Sequence, residues 1–281
     1  MISSGLSTIL LGLASAVSWG AGDFSGGLAS KRTSAFSVVA LSQFVSLLFL
    51  IIFALLLPEE NISSQDIILG AFAGVCGAAG LVALYSGLAR GPMGIVAPVT
   101  AVVAAIMPVF FSIFSEGIPH PRQLAGFGIA IAGVWLISQT NQNSGIRLGD
   151  LKLPIVAGVG FGLFFILIDR TSQNVIWWPL VSARTASILM VIVIAKIGQK
   201  LAVPAANQLP IIALAGIFDT AGTTFFALAT RLGRLDISAV LSSLYPAFTV
   251  ILAWIILKER LTTRQWTGVV LVMLAILLIA F

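Results

Sequence analysis

Charge and reactive side chains are scarce in this sequence of 281 residues. Asp, Glu, Lys and Arg together make up 9% of it, against about 25% in a soluble domain. That inventory cannot cover a water-facing surface, so lipid must solvate much of the chain. There is one cysteine, Cys76, inside an apolar run, which excludes a disulfide framework and a thiolate metal site. The one histidine, His120, lies between Pro119 and Pro121. A metal centre or a Ser-His-Asp triad would need it, and nothing around it fits either. No metal, cofactor or catalytic residue is therefore expected, and the chain does not read as an enzyme. The net charge of +5 comes from only 15 Lys and Arg, and no basic run is long enough to track a nucleic acid backbone.

What the sequence has in quantity is apolar residues: 59% are hydrophobic and the mean hydropathy is +1.10. A spanning helix needs about 20 apolar residues. Ten stretches qualify, near 5–28, 34–57, 66–89, 92–115, 121–138, 152–171, 179–199, 210–230, 236–257 and 263–281. The first lacks a basic leading segment and reads as a retained span, not a cleaved signal peptide. The expected fold is an all-α integral membrane protein of ten transmembrane helices, multi-pass in the cell membrane, with the lipid bilayer as its partner. Pro92, Pro121, Pro154, Pro179 and Pro210 sit near helix starts, where a missing N–H costs nothing. Pro98, Pro108 and Pro246 fall inside spans and should kink or open them.

The two halves repeat. A shift of about 142 residues places Arg122-Gln123 on Arg264-Gln265, Gly126 on Gly268, Gly74 on Gly216 and Gly80 on Gly222. With small gaps, Glu116 matches Glu259, Arg90 matches Arg231 and Asp23 matches Asp169. The chain thus divides into a five-helix repeat over 1–138, a polar linker over 139–151 and a second five-helix repeat over 152–281. Five is odd, so the second copy enters the membrane from the opposite side. Inverted repeats of this kind accompany alternating-access transport, with the solute site near the midplane between the halves.

Three features resemble the drug/metabolite transporter superfamily, EamA type: Trp19-Gly20 followed by Phe24, Tyr245-Pro246 leading to Lys258-Glu259-Arg260-Leu261, and a Gly-rich last helix in each unit. The resemblance covers nearly the whole chain as two tandem units. It implies a secondary transporter of the kind that exports amino acids or related metabolites. It also implies a central cavity lined by spans 1, 3, 4, 6, 8 and 9. The sequence departs from the family pattern where Arg184 in the second unit is matched by Gln43 in the first, and where Pro58, Glu59 and Glu60 follow span two instead of a basic stretch.

Ionisable groups inside spans are expensive and usually face protein or water. Asp219 is the sharpest candidate: it lies deep in span eight, with Thr220, Thr223 and Thr224 following. It could hold a substrate amine, carry a coupling proton, or simply pair with Arg184. Asp23 and Asp169 could line a cavity mouth. Their alternative roles are ion pairs, Asp23 with Lys31 or Arg32 and Asp169 with Arg184. Arg184 itself reads as a structural ion-pair residue that holds helices in register. Trp19 and Asp23, four residues apart, share a helical face and suit a cationic or amphipathic solute. Tyr85, Tyr245 and Trp254 are further candidates for an aromatic lining. Pro246 leaves a carbonyl near Ser242 without a donor, so Ser242 and Ser243 become candidate ligands for a polar substrate. Stripes of small residues, Gly158, Gly160 and Gly162 among them, read as helix packing and not as a nucleotide loop.

The balance of Lys and Arg puts both termini outside the cytoplasm under the positive-inside rule, whereas the family resemblance implies both inside. The functional expectation is a small-molecule exporter working by alternating access. A membrane-embedded scaffold or sensor subunit is the alternative, and a lipid-modifying membrane enzyme a third reading.

Overall fold

The computed structural model describes residues 4–90, 93–137, 151–257 and 262–280. The linker expected from Gln139 to Asp150 and the Lys258-Glu259-Arg260-Leu261 motif lie outside them. Every regular element among the described residues is helical. The first half holds α1 (Ser4–Ser30), α2 (Ala35–Leu56), α3 (Ser64–Arg90), α4 (Met93–Ser115) and α5 (Pro121–Ile137). The second holds α6 (Lys152–Asp169), α7 (Trp177–Ile197), α8 (Leu209–Leu232), α9 (Leu235–Ser242), α10 (Tyr245–Leu257) and α11 (Thr263–Ala280).

Seven apolar stretches are long enough to cross a membrane among the described residues, and Leu235–Ile256, which joins α9 and α10, is one of them. Two more apolar helices, Val99–Ser115 and Thr263–Ile279, are shorter. The break between α9 and α10 falls where Pro246 withdraws its N–H from the helical ladder. Leu244 N turns back to Leu241 O at 3.2 Å, and Ala247 N then restarts the ladder on Leu244 O at 2.9 Å. Pro108 has no such effect, and α4 runs through it unbroken.

Helix starts are fixed by local side chains. Ser63 and Asp66 form a reciprocal capping box at α3: Asp66 N donates to Ser63 Oγ and Ser63 N to Asp66 Oδ2, both at 3.1 Å. Thr262 and Gln265 do the same at α11, satisfying amides that a helix start leaves orphaned. The lone histidine has this role at α5, where His120 Nδ1 accepts from Arg122 N at 3.3 Å. Glu59 reaches across to the start of α7 and accepts from the amides of Ile176, Trp177 and Trp178 at 2.5, 2.8 and 3.2 Å.

The packing between halves is reciprocal. α1 packs on α8 as α6 packs on α3, α1 meets α9 and α10 as α6 meets α4, and α2 lies on α8 as α7 lies on α3. The pairs α2–α7 and α5–α11 join like to like. The seams correspond residue by residue. Gly74 of α3 lies against the carbonyl of Ala183 on α7, and Gly216 of α8 against the carbonyl of Ser42 on α2, with no room for a Cβ at either. Gly80 carries the ring of Phe161, and Gly222 carries the indole of Trp19. Small residues let these backbones touch, and lipid-exposed association depends on such contact.

At the end where α2, α4, α6 and α8 terminate, polar groups tie the turns together. Arg234 donates to the carbonyls of Glu116 and Gly117 at 3.1 and 2.8 Å and pairs with buried Asp236 at 2.8 Å. Asp66 accepts from Ser172 N at 2.7 Å. Arg231 donates to the carbonyl of Asp169 at 3.2 Å and to that of Val175 at 3.3 Å.

Candidate functional site

Trp19 and Asp23 of α1 both border a central cavity with about 490 Å³ of empty space, open solvent included. α2 contributes Gln43, α3 Gly77 and Leu81, α7 Arg184, α8 Asp219 and Thr223, and α10 Tyr245. From α6 come Phe161, Phe164 and Phe165, a stripe at the i, i+3, i+4 spacing of one helical face. Both halves therefore wall the cavity. The family resemblance implied α4 and left out α2 and α7. The structure reverses this: α2 and α7 supply Gln43 and Arg184, and no described residue of α4 borders the cavity.

The apolar wall is stacked aromatic. The Trp19 indole lies 5.5 Å from Phe165 at 23° and 5.9 Å from Phe226 at 33°, and Phe165 lies 4.5 Å from Phe226. Trp19 is held there because Gly222, behind it on α8, has no side chain; a Cβ would come to 2.6 Å from the indole. Ser15, one turn earlier on α1, donates to the Gly222 carbonyl at 2.8 Å and fixes the α1–α8 register.

The polar wall is a network around Arg184, which is buried. Its Nη2 lies 2.9 Å from Asp219 Oδ2 and 2.6 Å from Thr223 Oγ1, Nη1 donates to Gln43 Oε1 at 2.8 Å, and Nε donates to Ser46 Oγ at 3.0 Å. Gln43 Nε2 donates to Asp219 Oδ2 at 2.9 Å, closing a ring of three side chains. Ser187 Oγ donates to Gln43 Oε1 at 3.2 Å, and Thr220 Oγ1 donates to Ser46 Oγ at 2.8 Å. A buried guanidinium is tolerable only when its charge and its N–H groups are met in this way. Of the three roles open to Asp219, pairing with Arg184 is the one the geometry displays.

The other sequence candidates separate clearly. Asp169 does not reach Arg184. It ends α6 and pairs with its neighbour Arg170 at 3.1 Å, because the span 6–7 turn holds it at the membrane end while Arg184 lies further along α7. Asp23 pairs with neither Lys31 nor Arg32. No described residue gives it a hydrogen bond or an ion pair, and it borders the cavity instead. Tyr245 also borders the cavity, and its buried hydroxyl has no partner among the described residues.

Tyr85 is buried behind α1, its hydroxyl 3.5 Å from the Gly22 carbonyl, and it is not among the lining residues. Ser242 is turned to the Gly12 carbonyl at 3.5 Å. Ser243 borders a separate apolar crevice of about 210 Å³ between α4, α5 and α9. The break before Pro246 rotates these two serines away from the central cavity while bringing Tyr245 into it. Trp254 lies on the outer surface, edge to face with Trp266 at 5.9 Å, and both rings are exposed. Residues 158, 160 and 162 pack α6 against α4 and α3.

Phe161, Phe164 and Phe165 went unremarked in the sequence as a lining, although their spacing was there to find. Gln43 drew notice only as the counterpart of Arg184. A neutral amide in an apolar span carries little signal until its partners are known.

Comparison with known proteins agrees with this architecture. A solved crystal structure matches over 97% of this chain and 96% of its own, with a TM-score of 0.78 at 15% sequence identity, a likeness of fold. An uncharacterized protein of Methanocaldococcus jannaschii is 28% identical over 130 residues, which span 46% of this chain and 93% of that protein. Residues 6–139 and 148–281 each match the EamA-like transporter family, one match per half. The chain is a multi-pass membrane protein that belongs to the EamA-like transporter family.

Proposed function

We propose that this protein is a secondary transporter that exports small polar or amphipathic metabolites, such as amino acids, by alternating access of the central cavity. In this reading ten spans form two inverted five-helix repeats. The observation that carries it is a cavity walled by both halves, apolar on the α6 side and charged on the α7–α8 side. The reciprocal packing of α1–α8 with α6–α3 supports a two-fold relation between the repeats, the arrangement in which rocking one half on the other exposes a central site to either face.

Trp19, Asp23, Asp219 and Tyr245 are the residues assigned to touch the solute. Arg184 holds Asp219 in place. Tyr85, Asp169, Ser242 and Ser243 act from behind the wall or at the membrane ends. Facilitated exchange and proton-coupled export are both compatible with these carboxylates.

The test is counterflow. Full-length protein in liposomes, preloaded in turn with amino acids, amines and sugars, should accumulate the matching labelled solute above protein-free vesicles. A complete panel without counterflow would overturn the transport reading. A partner protein that copurifies stoichiometrically under the same conditions would favour the scaffold.

A further inference from the structure

The charges around the cavity do not balance, and the imbalance points to a class of solute. Among the described residues, three side chains of the Asp, Glu, Lys and Arg type border it: Asp23, Arg184 and Asp219. Arg184 and Asp219 neutralise each other at 2.9 Å. All three guanidinium nitrogens are already engaged, with Ser46, Gln43, Thr223 and Asp219. A solute carboxylate entering the cavity would have to displace Asp219 from a buried ion pair, and that exchange leaves one carboxylate uncompensated.

Asp23 is in the opposite condition. It borders the cavity, is partly buried, and receives no hydrogen bond or ion pair from any described residue. An ionised carboxylate taken out of water needs a counter-charge. The second observation is Tyr245: it is 3% exposed and borders the same cavity, and its hydroxyl has no partner among the described residues. An ammonium group offers up to three donors, enough for the Asp23 carboxylate and the Tyr245 oxygen together. The rest of the wall, with Trp19, Phe161, Phe164 and Phe165, suits an apolar body and adds ring faces that attract a cation.

We infer that the cavity selects amphipathic organic monocations that carry no carboxylate, with Asp23 as the counter-ion and Tyr245 as the second polar contact. The inference rests on the transport reading and replaces its amino-acid example: amino acids, being zwitterions, become poor solutes.

A matched series tests it on the purified full-length chain at pH 7: 2-phenylethylamine (cation), L-phenylalanine (zwitterion), 3-phenylpropanoate (anion) and 2-phenylethanol (neutral). Affinity is read by quenching of tryptophan fluorescence and by thermal shift. The amine should bind at least tenfold more tightly than each of the others. Asp23→Asn should lower its affinity at least tenfold while the protein stays monodisperse and melts within a few degrees of the parent. Tyr245→Phe should lower it by a smaller factor.

Phenylalanine or phenylpropanoate binding as tightly as the amine overturns the inference, as does an Asp23→Asn protein that binds the amine normally, or a series in which nothing binds. Should the Asp23 variant fail to fold, the ranking of the four solutes on the unmutated chain decides alone. Phenylalanine showing counterflow while the amine does not would sink the cation assignment and leave the transport reading standing. Only an inert panel in the counterflow experiment removes both.

Discussion

Gln43 and Arg184 occupy matching places in the two halves of the chain and are hydrogen-bonded to each other, Arg184 Nη1 donating to Gln43 Oε1 at 2.8 Å. The duplicated position thus holds one charge instead of two. Two facing guanidinium groups would repel across a buried seam. An amide turns repulsion into a bond, and it also passes a donor on to Asp219 at 2.9 Å.

The first expectation concerns this network. Arg184→Gln strands Asp219 without its cation; breaking a fully buried pair costs about 3–5 kcal/mol, an upper bound here because Asp219 is only partly buried. Thermal unfolding in detergent should show a large loss for Arg184→Gln and for Asp219→Asn. The double variant should recover part of that loss, because both charges are then gone. Losses that simply add in the double variant would mean the two side chains are not coupled.

Backbone contact between α3 and α7 gives the second. Gly74→Ala drives a methyl group into the Ala183 carbonyl, and overpacking of this kind costs about 1–3 kcal/mol. Gly128→Ala on α5 has nothing within 4 Å of the new Cβ and should leave the melting temperature unchanged or slightly raised. Equal tolerance at both positions would show that α3 and α7 can separate without cost.

Glu59 provides the third. Its carboxylate accepts from three amides at the start of α7, and loss of a cap costs about 0.5–2 kcal/mol. Glu59→Ala should therefore lower stability, while Glu60→Ala, on an exposed side chain, should not. Hydrogen exchange at Ile176 to Trp178 should rise in the first variant only.

Trp19 and Gly222 supply the fourth. Trp19→Ala removes two ring contacts worth about 0.5–1.5 kcal/mol each and should weaken binding of any aromatic solute. Gly222→Val pushes the indole from its place without touching the polar network. Its signature should be a shifted tryptophan emission and reduced counterflow. Unchanged emission would show that the indole does not rest on that backbone.

Much of the fold could be read from the chain because lipid imposes simple rules. A backbone in hydrocarbon must bond to itself, so the apolar runs marked the helices to within a few residues: 34–57 became Ala35–Leu56 and 263–281 became Thr263–Ala280. Pro246 announced a break, and one is there. The site was only partly legible. Asp219 and Arg184 stood out as charges in apolar runs, and their mutual pairing was one of the roles considered. Asp169 misled because sequence depth was measured from imprecise span edges. Ser242 and Ser243 misled because the rotation at the break, which aims these side chains, has no local signature. The aromatic stripe on α6 was hidden by a background in which Phe is common.

The matched glycine platforms of α3 and α8 have one more consequence. Phe161 lies on Gly80, and Trp19 lies on Gly222, so duplication provided two equivalent perches that divergence then furnished with different rings. Both rings border the cavity, and the guanidinium that borders it, from Arg184, belongs to the second half alone. On the transport reading, the two halves offer a solute unlike ring surfaces. Swapping the two rings, Trp19→Phe together with Phe161→Trp, would exchange the two surfaces and reveal how far the difference between the halves rests on ring identity alone.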